Sequence, residues 1–294
     1  MPFSAVQELL KRELGGDAER SFTWIDPQPF ASDAGTQTHR AHFHTGQDVS
    51  ITVRHSEGER DLVAYGRDAE MLRATHLASP AIHVPLVYWK YTTPRVLVRE
   101  YQEGTLLEAR ALREIGYDLR SIARSLFLLF AEAFVGSGWY YRYAHGHPLT
   151  VLPGSRIFVH TSDHVGRIPP EVRLVLAELM RAHVRNDLDG VLRGTAEIGG
   201  YVSESDLHTM ESGVATWFSD HPDVSFGGAF AAIVDFLPRQ ESLNTLSDVL
   251  VGLEQEIIML YPAFDFTSAY DALSSHAMAR PQRSEHFPRY ASVS

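Results

Sequence analysis

Histidine is concentrated in two short stretches of this chain. Eight of the 15 histidines lie within residues 38–55 and 142–164, far more than an even spread over 294 residues would place there. They are His39, His42, His44, His55, His145, His147, His160 and His164. Imidazole titrates near neutral pH and serves as a general acid, a general base or a neutral metal ligand. The pattern indicates a site for proton transfer or ligand binding.

Five side chains in these stretches are our candidate catalytic residues. His145 and His147 lie in a polar loop after an aromatic segment, His160 and Asp163 lie in the turn that follows, and His39 lies on an alternating segment upstream. His145 and His147 could also supply two metal ligands together with His160 or Asp163. Histidines in a loop more often have no metal, so we predict neither a metal nor another cofactor.

The same stretches contain groups that could hold a ligand. Residues 139–143 include four aromatic side chains, and strand alternation sends about half of such a run into the core. We predict that Tyr141 and Tyr143 contact a planar or apolar ligand. Arg54 and Arg142 are predicted to hold an anionic part of it.

The first third of the chain is predicted to be rich in β-structure. Alternating segments predict one hairpin over residues 38–55 and a second over 84–101. Helical periodicity predicts helices over 5–14 and 59–76. Gln102, Glu103 and Gly104 then interrupt the pattern.

The rest of the chain is predicted to be helical apart from the segment 138–166. The predicted helices cover 105–115, 118–135, a segment beginning at Pro170, 205–218, 226–236 and a late segment through Leu260. A small β-rich part, a glycine hinge and a larger helical part predict an α+β, bilobal protein-kinase-like fold. The predicted boundaries are an N-lobe over 1–104, a C-lobe over 105–279 and a loose tail over 280–294.

Composition excludes several classes of function. The formal net charge of −11 disfavours a nucleic-acid partner, which requires a basic surface. The absence of cysteine excludes disulfides and thiolate chemistry. No apolar run reaches the roughly 18 residues of a membrane helix. We therefore predict a cytoplasmic protein without membrane insertion.

Several blocks of the chain resemble the UbiB/AarF/ADCK family of atypical kinase-like proteins. The segment ending "TQTHRA" (36–41) is similar to the end of the family's nucleotide loop, where Gln37, His39 and Arg40 match. "VPLVYWKYTTPRVLVREYQEG" (84–104) is similar to its hinge-side hairpin, and "LEQEIIMLYPAFDF" (253–266) to its late helix. The resemblance implies the kinase-like fold and adds Gln37 to the candidate ligand-binding residues.

The chain departs from the family's catalytic loop, which reads H-A-D-P-H-P-G-N. The aspartate position is Tyr143 and the metal-binding asparagine position is Pro148, whereas His145 is retained. The D-F-G aspartate falls at Thr161, although a shift of two residues would place Asp163 there.

The β-strand and helix that hold the phosphates also depart from the family. The lysine position is Thr52, with Arg54 one step along the same strand face, and the glutamate position is Tyr65. Phosphoryl transfer needs metal ligands, a positioned nucleophile and a cation on the phosphates. We therefore predict no kinase activity.

Two functions remain open at this point. Because the family is associated with isoprenoid quinone and lipid metabolism, the chain could bind or transform a hydrophobic small molecule between the lobes. An enzyme of this kind would be a histidine-assisted lyase, cyclase or isomerase. The alternative is a non-catalytic pseudokinase that regulates a protein partner.

Overall fold

The computed structural model describes residues 1–55, 61–142, 149–159, 165–200, 203–238 and 241–279. These residues fall into two compact units. Unit 1 comprises Met1–Arg167 and Arg239–Phe264, and unit 2 comprises Ile168–Pro238 and Asp265–Ser294. The lobe boundaries at 104 and 105 stay a prediction, and the predicted tail lies outside the described residues.

Unit 1 contains the described strands and six of the eleven described α-helices. Its helices are α1 (Phe3–Leu14), α2 (Gly16–Ser21), α3 (Leu62–Thr75), α4 (Ala109–Ile115), α5 (Leu119–Val135) and α10 (Glu241–Leu260). Its strands are β1 (Phe22–Ile25), β2 (Ala31–Ser32), β3 (Thr36–Phe43), β4 (Asp48–Arg54), β5 (Ile82–His83), β6 (Val96–Glu100), β7 (Thr105–Leu106), β8 (Trp139–Tyr141), β9 (Leu149–Leu152), β10 (Arg156–Val159) and β11 (Val165–Arg167).

The first sheet is built around the predicted hairpin β3–β4. Its strand order is β1-β3-β4-β6, and β2 pairs with β3. The apolar residues of helix α1 pack with one face of this sheet in a single buried cluster that includes Val6, Leu10, Ile51 and Val98. The opposite face contacts α3 through Leu97. The sheet is therefore covered differently on its two faces.

Of the second predicted hairpin, only the second strand forms as regular β-structure. Strand β6 forms as expected, but the preceding residues make one 3₁₀ turn, Trp89–Tyr91, and isolated bridges at Val87–Arg99 and Thr93–Val96. The Tyr88 amide donates to the carbonyl of Val98, so the segment before β6 makes some of the hydrogen bonds expected of a paired strand. The 3₁₀ turn takes up residues that regular pairing would require.

A second sheet and helix α5 complete unit 1. This sheet has the order β5-β10-β9-β7, with β5 parallel to β10, and β8 pairs separately with β11. Helix α5 begins at its N-cap Asp118, whose carboxylate accepts the Arg120 amide, and ten of its residues are buried. It packs against α10, so the longest apolar run of the chain serves as a core helix.

Unit 2 is helical in the residues that the structure describes. Its helices are α6 (Pro170–Val184), α7 (Leu188–Gly199), α8 (Glu204–Asp220), α9 (Phe226–Phe236) and α11 (Phe266–Ala279). Helix α6 starts with Pro170 at its first turn, as predicted, and packs on α7 and α11. The periodicity of the sequence had not indicated α7 or α11 as separate helices. Over the described ranges of both units, no helix has the length and apolar character needed to cross a membrane.

Candidate functional site

The candidate residues on β3 and β4 are divided between the two faces of the first sheet. The register pairs Gln37 with Val53 and Thr38 with Thr52. Side chains alternate along a strand, so Gln37 and His39 share the face covered by α1, whereas Thr38 and Thr52 share the other. The structure therefore does not bring His39 together with Arg54, which follows Thr52 on that second face.

His39 is enclosed between the sheet and α1. Its ring centroid lies 5.8 Å from that of Phe3, and its Nδ1 is 2.8 Å from the carbonyl oxygen of Asp26. Because a carbonyl only accepts, Nδ1 carries the proton, and Nε2 of the neutral ring is then an acceptor. Among the described residues, this buried Nε2 and the Gln37 Oε1 have no hydrogen-bond partner. Their predicted roles stay predictions.

The other described histidines of the first stretch do not converge with His39. His42 stacks on Trp24 at 4.9 Å and hydrogen bonds the carboxylate of Asp48 through Nδ1. His44 is exposed and His55 is partly buried at the end of β4. In the part of the chain that the structure describes, no group of three acidic or histidine side chains could hold a metal ion.

Thr52 occupies the position that the resemblance gives to the phosphate lysine, and its hydroxyl group pairs with that of Thr38. Thr38 Oγ1 and Thr52 Oγ1 are 3.0 Å apart, and Thr52 is buried. Tyr65, at the position expected for glutamate, packs against the apolar cluster of Leu62 and Leu97. This face of the sheet therefore has a neutral hydrogen bond and an apolar contact where a lysine–glutamate ion pair would be expected.

The aromatic segment of β8 is mostly core. Tyr140 and Tyr141 are both buried, and Tyr141 pairs with Val165 of β11. Burial raises the pKa of the Tyr140 hydroxyl to about 12, although the charge of Arg142 lowers it. Arg142 is exposed at the end of this strand. Ligand contact by Tyr141 and Arg142 stays a prediction.

Four of the five candidate catalytic residues lie outside the described part of the chain. Tyr143, His145, His147, His160 and Asp163 lie outside the described residues, as do Pro148 and Thr161. The acid–base and metal hypotheses for these side chains therefore stay predictions from the sequence.

A group that the sequence did not indicate lies on the same sheet face as Thr52. The Arg40 guanidinium carbon is 5.1 Å from the ring centroid of Tyr101 and 5.8 Å from that of Phe30. The two rings are 5.4 Å apart, and Glu103 lies 3.5 Å from the guanidinium. Phe30 and the Arg40 side chain remain 42% and 41% exposed. We call Phe30, Arg40 and Tyr101 the arginine–aromatic surface.

The electrostatics of this surface favour a neutral tyrosine beside a fixed cation. Burial raises the pKa of the Tyr101 hydroxyl, Arg40 lowers it, and Glu103 and Asp48 raise it further. The guanidinium and the two ring centroids lie at the corners of a triangle with sides of 5.1 to 5.8 Å, within the range of cation–π attraction. Such a surface can stack a planar or apolar group and also attract a partial negative charge.

The family follows from comparison with known proteins. The model of the ABC1 atypical kinase-like domain matches residues 1–62 and 56–194. The chain belongs to the ABC1 atypical kinase-like family. The fold agrees: the Mycobacterium tuberculosis protein Rv3197, solved as a complex with erythromycin, superimposes with a TM-score of 0.62 at 17% identity over 96% of this chain and 85% of that one. The predicted family and α+β kinase-like fold are thus confirmed.

Curated members of the ABC1 family are longer than this chain. The chloroplastic protein "activity of bc1 complex kinase 8" of Arabidopsis thaliana is 26% identical over 70% of this chain and 33% of its own length. The probable protein kinase UbiB of Azotobacter vinelandii is 23% identical over 90% of this chain and 60% of its own length. The chain therefore spans between a third and three fifths of these relatives.

Proposed function

We propose that this ABC1-family chain binds a hydrophobic small molecule and does not transfer phosphate. The observation that carries the proposal is the Thr38–Thr52 hydrogen bond on the sheet face that resembles the family's phosphate site. This hydroxyl pair places no cation at the lysine position itself, and the arginines of the same face, Arg40 and Arg54, lie at other positions of β3 and β4. Phosphoryl transfer depends on a cation held at the phosphates. The tyrosine at position 65 removes the ion-pair partner as well.

The arginine–aromatic surface supports the ligand part of the proposal. The two rings, of which Phe30 is exposed and Tyr101 is partly buried, lie next to the arginine and offer apolar area beside an electrostatic anchor. This chemistry suits a planar or lipid-like molecule with one polar end, and the family's association with isoprenoid quinone and lipid metabolism makes an isoprenoid quinone the ligand class that we propose.

Ligand binding is better supported than acid–base catalysis. The described histidines point to different surroundings: His39 lies under α1 and His42 beside Trp24. A general base must reach the proton that it removes, so histidines on separate faces do not cooperate at one substrate. Lyase, cyclase or isomerase chemistry remains a hypothesis for the loop around His145.

The first test is turnover of Mg-ATP by the purified chain. We expect no phosphate release above the rate without protein. ATP turnover that disappears in the Asp163→Ala variant would overturn this part of the proposal, because it would place a metal ligand at the shifted register.

The second test is binding of a short-chain ubiquinone analogue, followed by tryptophan fluorescence and by native mass spectrometry. Phe30→Ala should weaken binding about tenfold, since a stacked ring contributes roughly 1 kcal/mol beyond its buried area. Trp24→Ala is the matched control because Trp24 is 43% exposed on the same sheet but lies beside His42. Arg40→Gln should also weaken binding, because it removes the charge of the arginine–aromatic surface. Arg110→Gln is its control, since Arg110 is an exposed arginine paired with Glu114. Equal effects of Phe30→Ala and Trp24→Ala, or no binding at all, would contradict the proposal and favour regulation of a protein partner.

A further inference from the structure

The side chain of Glu100 lies where the chain passes from the first sheet to the second. Strand β6 ends at Glu100, and residues 101–104 lead directly to β7 of the second sheet. His83 belongs to β5 of the second sheet, and its Nε2 is 3.0 Å from Glu100 Oε1. This contact between a histidine and a carboxylate therefore joins the two sheets beside their connecting segment.

The carboxylate of Glu100 has hydrogen-bond donors at both oxygens. The Gln102 side-chain nitrogen donates to Oε1 at 2.6 Å, and the backbone amide of Leu86 donates to Oε2 at 3.3 Å. The ring of His83 stacks on Phe158 of β10 with centroids 5.4 Å apart and planes 11° apart. The stacking holds the imidazole plane, so Nε2 stays directed at the carboxylate.

Gln102 is shared between the two partners. Its Nε2 lies 3.4 Å from His83 Nε2 as well as close to the carboxylate. A histidine nitrogen can accept from the amide only when it carries no proton. With a proton on Nε2, His83 donates to Glu100, and the side-chain amide of Gln102 can then donate only to Glu100.

We propose that His83, Glu100 and Gln102 form a proton-dependent tie between the two sheets, which controls the mobility of the 101–104 connection. When His83 is protonated, His83 and Gln102 both donate to the Glu100 carboxylate, and the two sheets are held together more strongly. When His83 is neutral, it also has access to a tautomer that accepts from Gln102 and leaves the carboxylate with one side-chain donor fewer. This inference does not depend on the identity of any ligand.

The groups around His83 keep a constant charge state near neutral pH. Burial by itself raises the pKa of the Glu100 carboxyl, but hydrogen bonds from His83 and Gln102, the His83 charge and the Leu86 amide hold that pKa at about 2. The pKa of the Tyr88 hydroxyl is raised by burial and by the charge of Glu100, so this group stays neutral. Strand β10 presents the apolar ring of Phe158 to His83.

The test is hydrogen exchange of the amides in residues 101–107 at pH 5.5 and pH 8.0, expressed as protection factors. In the unsubstituted chain, protection should be about fivefold higher at pH 5.5, because a charge-assisted hydrogen bond is roughly twice as strong as a neutral one. His83→Gln keeps a donor that does not titrate, and it should remove the pH dependence, as should Glu100→Gln. Glu103→Gln should keep it, because Glu103 is 78% exposed and pairs with Arg40 instead.

A second measurement covers the case in which a variant does not fold. In the unsubstituted chain, the side-chain amide resonances of Gln102 should shift with pH at the same midpoint as the His83 ring proton. The proposal would be overturned if the pH dependence of exchange persisted in His83→Gln. It would also be overturned if the Gln102 resonances did not shift together with the His83 ring proton.

Discussion

Glu132 joins two helices of unit 1 through a buried histidine, and its replacement by glutamine should destabilise the fold. Its Oε2 is 2.8 Å from Nδ1 of the buried His76, at the end of α3, and its Oε1 accepts from the Ser79 hydroxyl at 2.7 Å. Glu132 itself belongs to α5. The carboxylate therefore holds the end of α3 and the following turn against the core helix.

The size of the effect follows from the hydrogen bonds that glutamine cannot make. Its amide keeps one acceptor oxygen but places an N–H against the second donor. Hydrogen bonds to a charged group contribute about 1.5–3 kcal/mol each. Glu132 is about a quarter exposed, which allows water to compensate in part. We expect the free energy of unfolding to fall by about 2 kcal/mol, which lowers the urea midpoint by about 0.7–1 M.

The assay is urea unfolding followed by circular dichroism at pH 7. Glu114→Gln is the matched control: Glu114 pairs with Arg110 at 2.9 Å on the exposed face of α4, and such pairs contribute about 0.5 kcal/mol or less. If Glu132→Gln and Glu114→Gln lower the midpoint equally, the reasoning about the buried network is wrong.

The two remaining predictions concern a glycine and an acid transition. Gly166→Ala should lower the free energy of unfolding by about 1–3 kcal/mol, because a Cβ there would overlap the buried ring of Tyr140 and lie 2.6 Å from its hydroxyl oxygen. The pKa of Glu100 is lowered from 4.5 to about 2, so its contribution to stability is fully present above pH 4.5 and is lost as the pH falls toward 2. The stability difference between the unsubstituted chain and Glu100→Gln, about 1–2 kcal/mol after allowance for solvent screening, should therefore shrink below pH 4.5.

Each of these two predictions has an internal control. Gly16→Ala should change the melting temperature little, since the nearest heavy atom to its Cβ is the flexible end of Arg20 at 3.4 Å. An equal loss in Gly16→Ala and Gly166→Ala would show that the Tyr140 contact is not the cause. For Glu100, a stability difference that stays constant from pH 7 to pH 3.5 would contradict the lowered pKa.

Local pattern was sufficient to predict most of the elements. The apolar stripe of α5 and the Pro170 start of α6 each predicted a helix, because a helix exposes or buries residues with a period of 3.6. The glycine at position 46, between two alternating segments, predicted the β3–β4 hairpin, because glycine is favoured in the tight turns of hairpins. The arm before β6 was predicted as a strand, and this prediction was wrong, since the 3₁₀ turn Trp89–Tyr91 has no distinctive period in the sequence.

The sequence by itself determined which chemical groups are missing. Thr52 and Tyr65 stand where the family resemblance expects a lysine and a glutamate, so neither of these two positions carries a charge. The same applies to the absence of cysteine. These conclusions depend on residue identity alone.

Only the tertiary structure decided which of the remaining groups meet. Alternation puts His39 and Thr38 on opposite faces of one strand, and the packing of α1 decides that the face of His39 is the one that α1 covers. Arg40 meets Tyr101, and His83 meets Glu100, because sheet pairing brings together residues that are far apart in the chain. Contacts of this kind arise from the packing of whole strands and helices, and their residues carry no local signal of the partner.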